Sequence, residues 1–138
     1  VKSGIEDFTQ RIGRYYPVEW QLLPSPKNGV NDLKHKEGEL ILNMLQKEDY
    51  LVALDERGKQ FSSEGLAGFI QTRANSSCKR LVFLIGGAYG LDEAVLKRAD
   101  YTWSLSQLVF PHQLVRLILA EQIYRACTIL RNEKYHHQ

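Results

Sequence analysis

The sequence predicts an α/β fold, a parallel sheet flanked by helices, and three observations predict it. Short, continuously apolar runs such as YLVALDE (50–56) and RLVFLI (80–85) have the length and composition of strands buried on both faces. Segments with helical apolar spacing separate them, and strands alternating with helices are the mark of a parallel sheet covered by its own crossovers. The size agrees. With 138 residues, 43% of them hydrophobic, the chain makes one domain over residues 1–138, large enough to bury about two-thirds of its unfolded surface.

The elements follow in order. IEDFTQRIGRYY (5–16) has a helical pattern, VEWQLL (18–23) reads as a strand, and PSPKNG (24–29) is a turn-rich loop. Asn31 or Asp32 can cap a helix over LKHKEGELILNMLQKE (33–48), which tolerates Gly38. The buried strand 50–56 breaks at RGKQ (57–60). Ser62 and Ser63 can cap EGLAGFIQTRA (64–74), RLVFLI is the third strand, LDEAVLKRA (91–99) a helix and YTWSLS (101–106) the fourth strand. The loop QLVFP (107–111) leads into a long last helix, from His112 to about Arg131. The chain opens inside a helical pattern, whereas an α/β domain more usually opens on a strand, so either a first strand is missing or the fold opens on a helix.

Composition excludes several classes. No apolar run is long enough to span a bilayer and no charged-then-apolar signal segment opens the sequence, so a cytoplasmic protein without membrane contact is expected. Cys78 and Cys127 lack the spacing of a metal site or a disulfide framework and read as reduced structural thiols. The net charge of +2 is unevenly placed. Residues 1–110 hold 14 basic and 14 acidic side chains, while 111–138 hold four basic and two acidic, with three of the four histidines. A polyanion contact at that end is one reading, and an ordinary solvated helix face is the other.

In α/β sheets ligands gather at the carboxyl ends of the strands. Three such ends carry suggestive residues: Leu54 with Asp55, Glu56, Arg57 and Gly58; Gly86 and Gly87 after the third strand; and Leu105, Ser106, Gln107, Leu108, Val109, Phe110 and Pro111 before the last helix. Bare backbone at Gly86 and Gly87 lets a flat ligand approach closely. The spacing GGxxG is not the dinucleotide fingerprint GxGxxG, and a tight turn alone would also use it. The loop LSQLVFP adds polar groups at Ser106 and Gln107 and an apolar floor from its neighbours, which suits an adenine ring. The last helix is apolar on two faces, which calls for a second partner; a homodimer interface is the economical answer and a buried core helix the alternative. On it, Glu121 and Arg125 can pair along the helix, or Arg125 can face phosphate. His112 reads as a cap of this helix. In the tail NEKYHHQ, adjacent His136 and His137 have no third ligand at metal-site spacing, so no metal is expected and a free tail is the plain reading.

Four motifs in one order, LDERGKQFSSEGLA, FLIGGAYGL, WSLSQLVFPHQLVRLILAEQIYRA and KYHH, resemble the pseudouridine N3-methyltransferases of bacterial large-subunit ribosomal RNA, a branch of the SPOUT superfamily. The resemblance runs from about Ile5 to the end. It implies a single SPOUT-type domain with a C-terminal trefoil knot, and S-adenosylmethionine bound by Leu54, Gly86, Leu105, Ser106, Gln107, Leu108, Val109 and Phe110. It further implies a homodimer acting on a pseudouridine of the assembled ribosome, with the tail of one subunit reaching the other's cofactor. Tyr135 and His136 are then the candidates for taking the imide proton or stabilising the anion, and Arg125, Lys134 and His137 for contacting RNA. His137 departs from the family, whose tail usually has Arg or Lys there.

Two readings of other classes compete. A pure RNA-binding module would need no cofactor site. Asp55 at a strand end is similar to the phosphoacceptor of a receiver-like signalling domain, although receivers carry Lys before the Pro that follows the last strand, where this chain has Phe110 before Pro111.

Overall fold

In a computed structural model of the chain, residues 1–23, 30–86 and 90–137 are described. Their elements are helix α1 (Lys2–Ile12), helix α2 (Val30–Met44), strand β1 (Tyr50–Lys59), helix α3 (Ser63–Asn75), strand β2 (Leu81–Ile85), helix α4 (Glu93–Arg98), strand β3 (Tyr101–Trp103), helix α5 (His112–Leu130) and a closing 3-10 turn, Lys134–His137. They group into two compact units, one from Val1–Trp20, Gln60–Ser77 and Leu108–Gln138, the other from Gln21–Lys59 and Cys78–Gln107.

The second unit holds the sheet. Its order is β2-β1-β3 with both pairings parallel, so the continuously apolar β1 is central and Leu51, Val52 and Ala53 are fully buried. On one face Leu51 and Ala53 pack with Ile41 of α2, Val95 of α4 and Leu91 before it, and Leu42, Val82, Leu84 and Leu96 surround this cluster. On the other face Phe83 and Trp103 meet edge to face, ring centroids 5.9 Å apart. Polar clamps secure the amino ends of the strands. Asp100 Oδ2 accepts the Leu51 N–H at 2.8 Å, and the Asp100 N–H donates to the Leu51 carbonyl. Arg98 donates to the carbonyls of Gln46 and Asp49.

The buried Asp49 carboxylate accepts from the Gln46 N–H at 2.7 Å and is ion-paired with Arg80, whose hydrogen bonds hold its carboxyl below the ordinary carboxylate range. Asp49→Ala is expected to destabilise the protein by about 2 kcal/mol in urea titration at neutral pH, because it strands a backbone donor and a guanidinium. A folded-state pKa depressed by Arg80 contributes stability that is full above the ordinary carboxylate range and is lost as pH falls through the lower folded value. The gap between wild type and variant should therefore close in acid.

Several expectations for this part of the chain need correction: α2 spans Val30–Met44, so Asn31 and Asp32 lie inside it and do not cap it, and β3 ends at Trp103, short of Ser106. Residues 18–23 form no strand: Trp20 instead donates its indole N–H to Thr9 Oγ1 at 2.9 Å, and Leu22 is exposed. Strand β1 does not stop at Glu56. It runs to Lys59, with a bulge between Leu54 and Lys59 that lets both residues face Trp103. Gly58 makes this possible, since a Cβ there would lie 2.5 Å from the Thr102 carbonyl oxygen. The loop 24–29, Gly87 and the residue preceding α2 lie outside the described residues.

In the first unit α5 is the hub. Both α1 and α3 of the same chain pack on it, so part of its broad apolar surface is covered without a second subunit. Leu119, Ala120, Ala126, Cys127 and Thr128 of α5 are buried, as are Ile12 of α1 and Leu66, Ala67 and Ile70 of α3, the two helices that pack on it. Burial raises the Cys127 thiol to about 11. The Ser62 hydroxyl caps α3 by accepting the Gly65 N–H at 2.9 Å, as its sequence position suggested. Tyr15 donates to Glu133 at 2.6 Å, and that bond pushes its phenol up to about 12.

Candidate active site

The parallel register turns three separate stretches of sequence into neighbours. Leu54 pairs with Ile85 on one side and Trp103 on the other, so the chain beyond each strand leaves from the same edge of the sheet. The register thus puts three of the predicted positions toward the same end of the sheet: Leu54, Gly86 just after Ile85, and the loop of Leu105, Ser106 and Gln107 just after Trp103. That loop is shaped by Ser104, whose hydroxyl donates to the Ser106 carbonyl at 2.8 Å and whose N–H donates to the Lys59 carbonyl. Leu54, Gly86, Leu105 and Ser106 are half-buried and Gln107 is exposed. Gly86 is closely packed: a Cβ there would sit 3.0 Å from the buried side chain of Leu91, which would have to give way.

Asp55, the would-be phosphoacceptor, has both oxygens held by Arg57, with Nε and Nη2 each donating at 2.9 Å. The guanidinium holds its carboxyl below the ordinary range. A carboxylate so clamped is a poor nucleophile, which removes the observation that favoured a receiver. Sequence reasoning missed a cleft of about 530 Å³ in this unit, lined by Asp55, Arg57, Gly58, Lys59, Tyr101 and Thr102 among others. None of the predicted cofactor residues lines it.

The tail is ordered against its own unit. Lys134–His137 forms a 3-10 turn on α5, where the Tyr135 ring meets Tyr124 edge to face at 4.7 Å and lies under the Arg125 guanidinium at 4.9 Å. Glu121 is the organiser that the sequence did not reveal. Its Oε2 accepts from Arg125 Nη2 at 2.6 Å and from the Tyr135 hydroxyl at 2.8 Å. Burial, with the bond to Glu121 behind it, raises the Tyr135 phenol above its ordinary value. Hydrogen bonding to Glu121 likewise raises Arg125. Arg125 Nη1 faces His136 Nδ1 at 3.5 Å, and His136 Nε2 lies 2.8 Å from Glu64 Oε1 on α3. The helical pairing expected for Glu121 and Arg125 is thus present as part of a larger network. Lys134 is exposed, and only the backbone of His137 is described. His112 does not cap α5; Pro111 occupies that position, and His112 Nδ1 accepts from Arg116 Nε at 3.4 Å.

Among the described residues no group of His, Cys, Asp and Glu is placed to hold a metal ion, and no helix is long and apolar enough to cross a membrane.

A three-stranded parallel sheet packed against helices is an α/β architecture, a class in which ligands gather at the carboxyl ends of the strands. The model of a family described as predicted SPOUT methyltransferases matches residues 1–136, and the chain belongs to that family: it is a methyltransferase, and its reaction requires a methyl donor. The chain is 50% identical to the ribosomal RNA large subunit methyltransferase H of Christiangramia forsetii, over 100% of this chain and 90% of the relative. It is 49% identical to the protein of that name from Parabacteroides distasonis, over 99% and 89%, and 44% identical to that of Geotalea daltonii, over 99% and 90%.

Proposed function

We propose that this methyltransferase transfers a methyl group from S-adenosylmethionine to N3 of a pseudouridine in large-subunit ribosomal RNA of the assembled ribosome, acting as a cytoplasmic homodimer with its chain threaded into a trefoil knot near the C-terminus. The convergence of Leu54, Gly86, Leu105, Ser106 and Gln107 at one sheet edge carries the reading, and the names of the relatives supply the substrate class. The donor set suits an adenosyl group: Leu54 and Leu105 offer apolar walls, the Ser106 and Gln107 side chains offer polar edges, and Gly86 offers bare backbone. Leu108, Val109 and Phe110, next in the chain, are assigned to the same cofactor by the resemblance.

When bound, S-adenosylmethionine supplies an electrophilic methyl group; the protein's part is to place and deprotonate the imide nitrogen. With its phenol raised and donating to Glu121, Tyr135 is protonated at neutral pH and serves to orient. His136 is the better acceptor for the imide proton. Two of the three Arg125 nitrogens already bond Glu121, so its role is to steady His136 and Tyr135 while Lys134 and His137 meet phosphate. The dimer is supported by apolar residues at and before the start of α5 that are not buried: Val109 is 83% exposed, and Leu114, Val115 and Ile118 are half-buried. Ile118→Glu should convert a dimer to a monomer in sedimentation, because it buries an unpaired charge. Leu117 is the poorer probe, since its side chain reaches toward Gly4 of α1. The reading is tested by incubating the purified protein with ribosomes and labelled S-adenosylmethionine: methylated pseudouridine in the large-subunit RNA is expected, and unlabelled RNA would reject it.

A further inference from the structure

We infer that Arg14, Arg131 and Lys134, gathered where α1 and α5 end, form a surface that grips the phosphate backbone of RNA; the inference rests on the RNA substrate proposed above. All three belong to the first unit. Helices α1 and α5 lie side by side and run the same way. A Cβ on Gly4, early in α1, would sit 3.0 Å from the Leu117 side chain, and the ring of Tyr15, just past the end of α1, lies 5.6 Å under the guanidinium of Arg131, which follows α5. A ladder of rings continues from there. Tyr15 and Tyr124 are 6.4 Å apart, Tyr124 meets Tyr135 at 4.7 Å, and Arg11 and Arg125 cover Tyr124 and Tyr135 as Arg131 covers Tyr15. A planar guanidinium resting on a ring is oriented before any ligand arrives, so it loses little freedom when its N–H groups meet phosphate.

Charge separates the binding cations from the structural ones. Arg11 is ion-paired with Asp7 and Arg125 with Glu121. Arg14, Arg131 and Lys134 are exposed, and none of them forms an ion pair among the described residues. Glu133, between Arg131 and Lys134 in the chain, is engaged by the Tyr15 hydroxyl at 2.6 Å. Three cations around one engaged carboxylate leave this end positive, beside the turn that carries Tyr135 and His136. Charge counts by segment hide it, because Arg14 lies in the balanced first 110 residues and is brought to the others by its neighbour Tyr15. Phosphate contacts of this kind position a nucleic acid without reading its sequence, which suits a tail that must meet one nucleotide. Cations at helix carboxyl ends also offset the macrodipole, a role that would show in stability alone.

The double variant Arg14→Gln/Arg131→Gln separates the two roles. Its binding to an RNA hairpin, read by fluorescence anisotropy, should be about tenfold weaker, and its affinity should fall less steeply with salt, the logarithmic slope being shallower by about 1.5. Arg14→Lys/Arg131→Lys keeps both charges and should keep the slope. In ribosome methylation the Gln variant should raise KM for ribosomes while kcat at saturation and S-adenosylmethionine affinity stay unchanged, since neither residue belongs to the unit of Leu54, Gly86 and Ser106. Unchanged RNA affinity and salt slope in the Gln variant overturn the inference. So does a lower melting temperature with RNA binding intact, which assigns the cations to the helix ends. A wild type that methylates ribosomes yet has no salt-dependent affinity for RNA overturns it as well. A wild type that binds the hairpin, with the expected change of slope in the variant, but never methylates ribosomes overturns the functional reading instead and leaves the surface standing.

Discussion

Deletion of residues 135–138 is expected to lower methyl transfer to ribosomes by a factor on the order of a hundred, the usual scale for losing a positioned proton-transfer group. Binding of S-adenosylmethionine, measured by titration calorimetry, should change little, because Leu54, Gly86 and the 105–107 loop are fixed by the sheet register and by Ser104. The deletion also removes the Tyr135 ring from Tyr124 and Arg125, a loss of about 1–2 kcal/mol that thermal melting should register without unfolding the protein. His136→Arg separates two roles. Recovery of transfer would assign the tail to gripping phosphate, and continued inactivity would assign it to proton handling. A truncated protein that methylates at the full rate refutes the role of the tail.

The largest effect on folding is expected at Gly58. Valine there would force its Cβ to within 2.5 Å of the Thr102 carbonyl oxygen and 2.6 Å of the carbonyl carbon, atoms of the backbone that cannot rotate aside. Either the bulge opens or β3 leaves β1, and both disturb the strand end that carries Leu54. A cost of about 3 kcal/mol is expected in urea unfolding, at the upper end of ordinary overpacking. Cofactor affinity should fall with it. Gly58→Val with wild-type stability would mean that the bulge is not formed in solution.

Local signals were legible in the sequence and partner-dependent ones were not. Ser62 announced the start of α3 because a cap is written within three residues of its helix. The apolar run at 50–54 announced the central strand because burial on both faces leaves no polar position. VEWQLL carried the same alternation as a strand, yet a strand exists only with a neighbour to pair with, and Trp20 found its hydrogen bond on α1 instead. The extension of β1 through RGK was hidden because a bulge is set by the opposing strand. The strand ends were singled out by the rule that α/β ligands gather there. The order that α1 and α3 impose on α5, and the ties of Glu121 and Glu64 to the tail, join residues far apart in the chain and left no periodic trace.

The way the two units are assembled has a consequence for synthesis. One is drawn from three stretches and the other from two, and the hub of the first, α5, is among the last parts to be made. Tyr15 waits 118 residues for Glu133, and α5, the helix on which α1 packs, comes late. Closing loops of that length before any contact is gained makes for slow folding. In synthesis α1 therefore emerges well before the helix it packs on, and its apolar side is a surface a chaperone would cover in the interval.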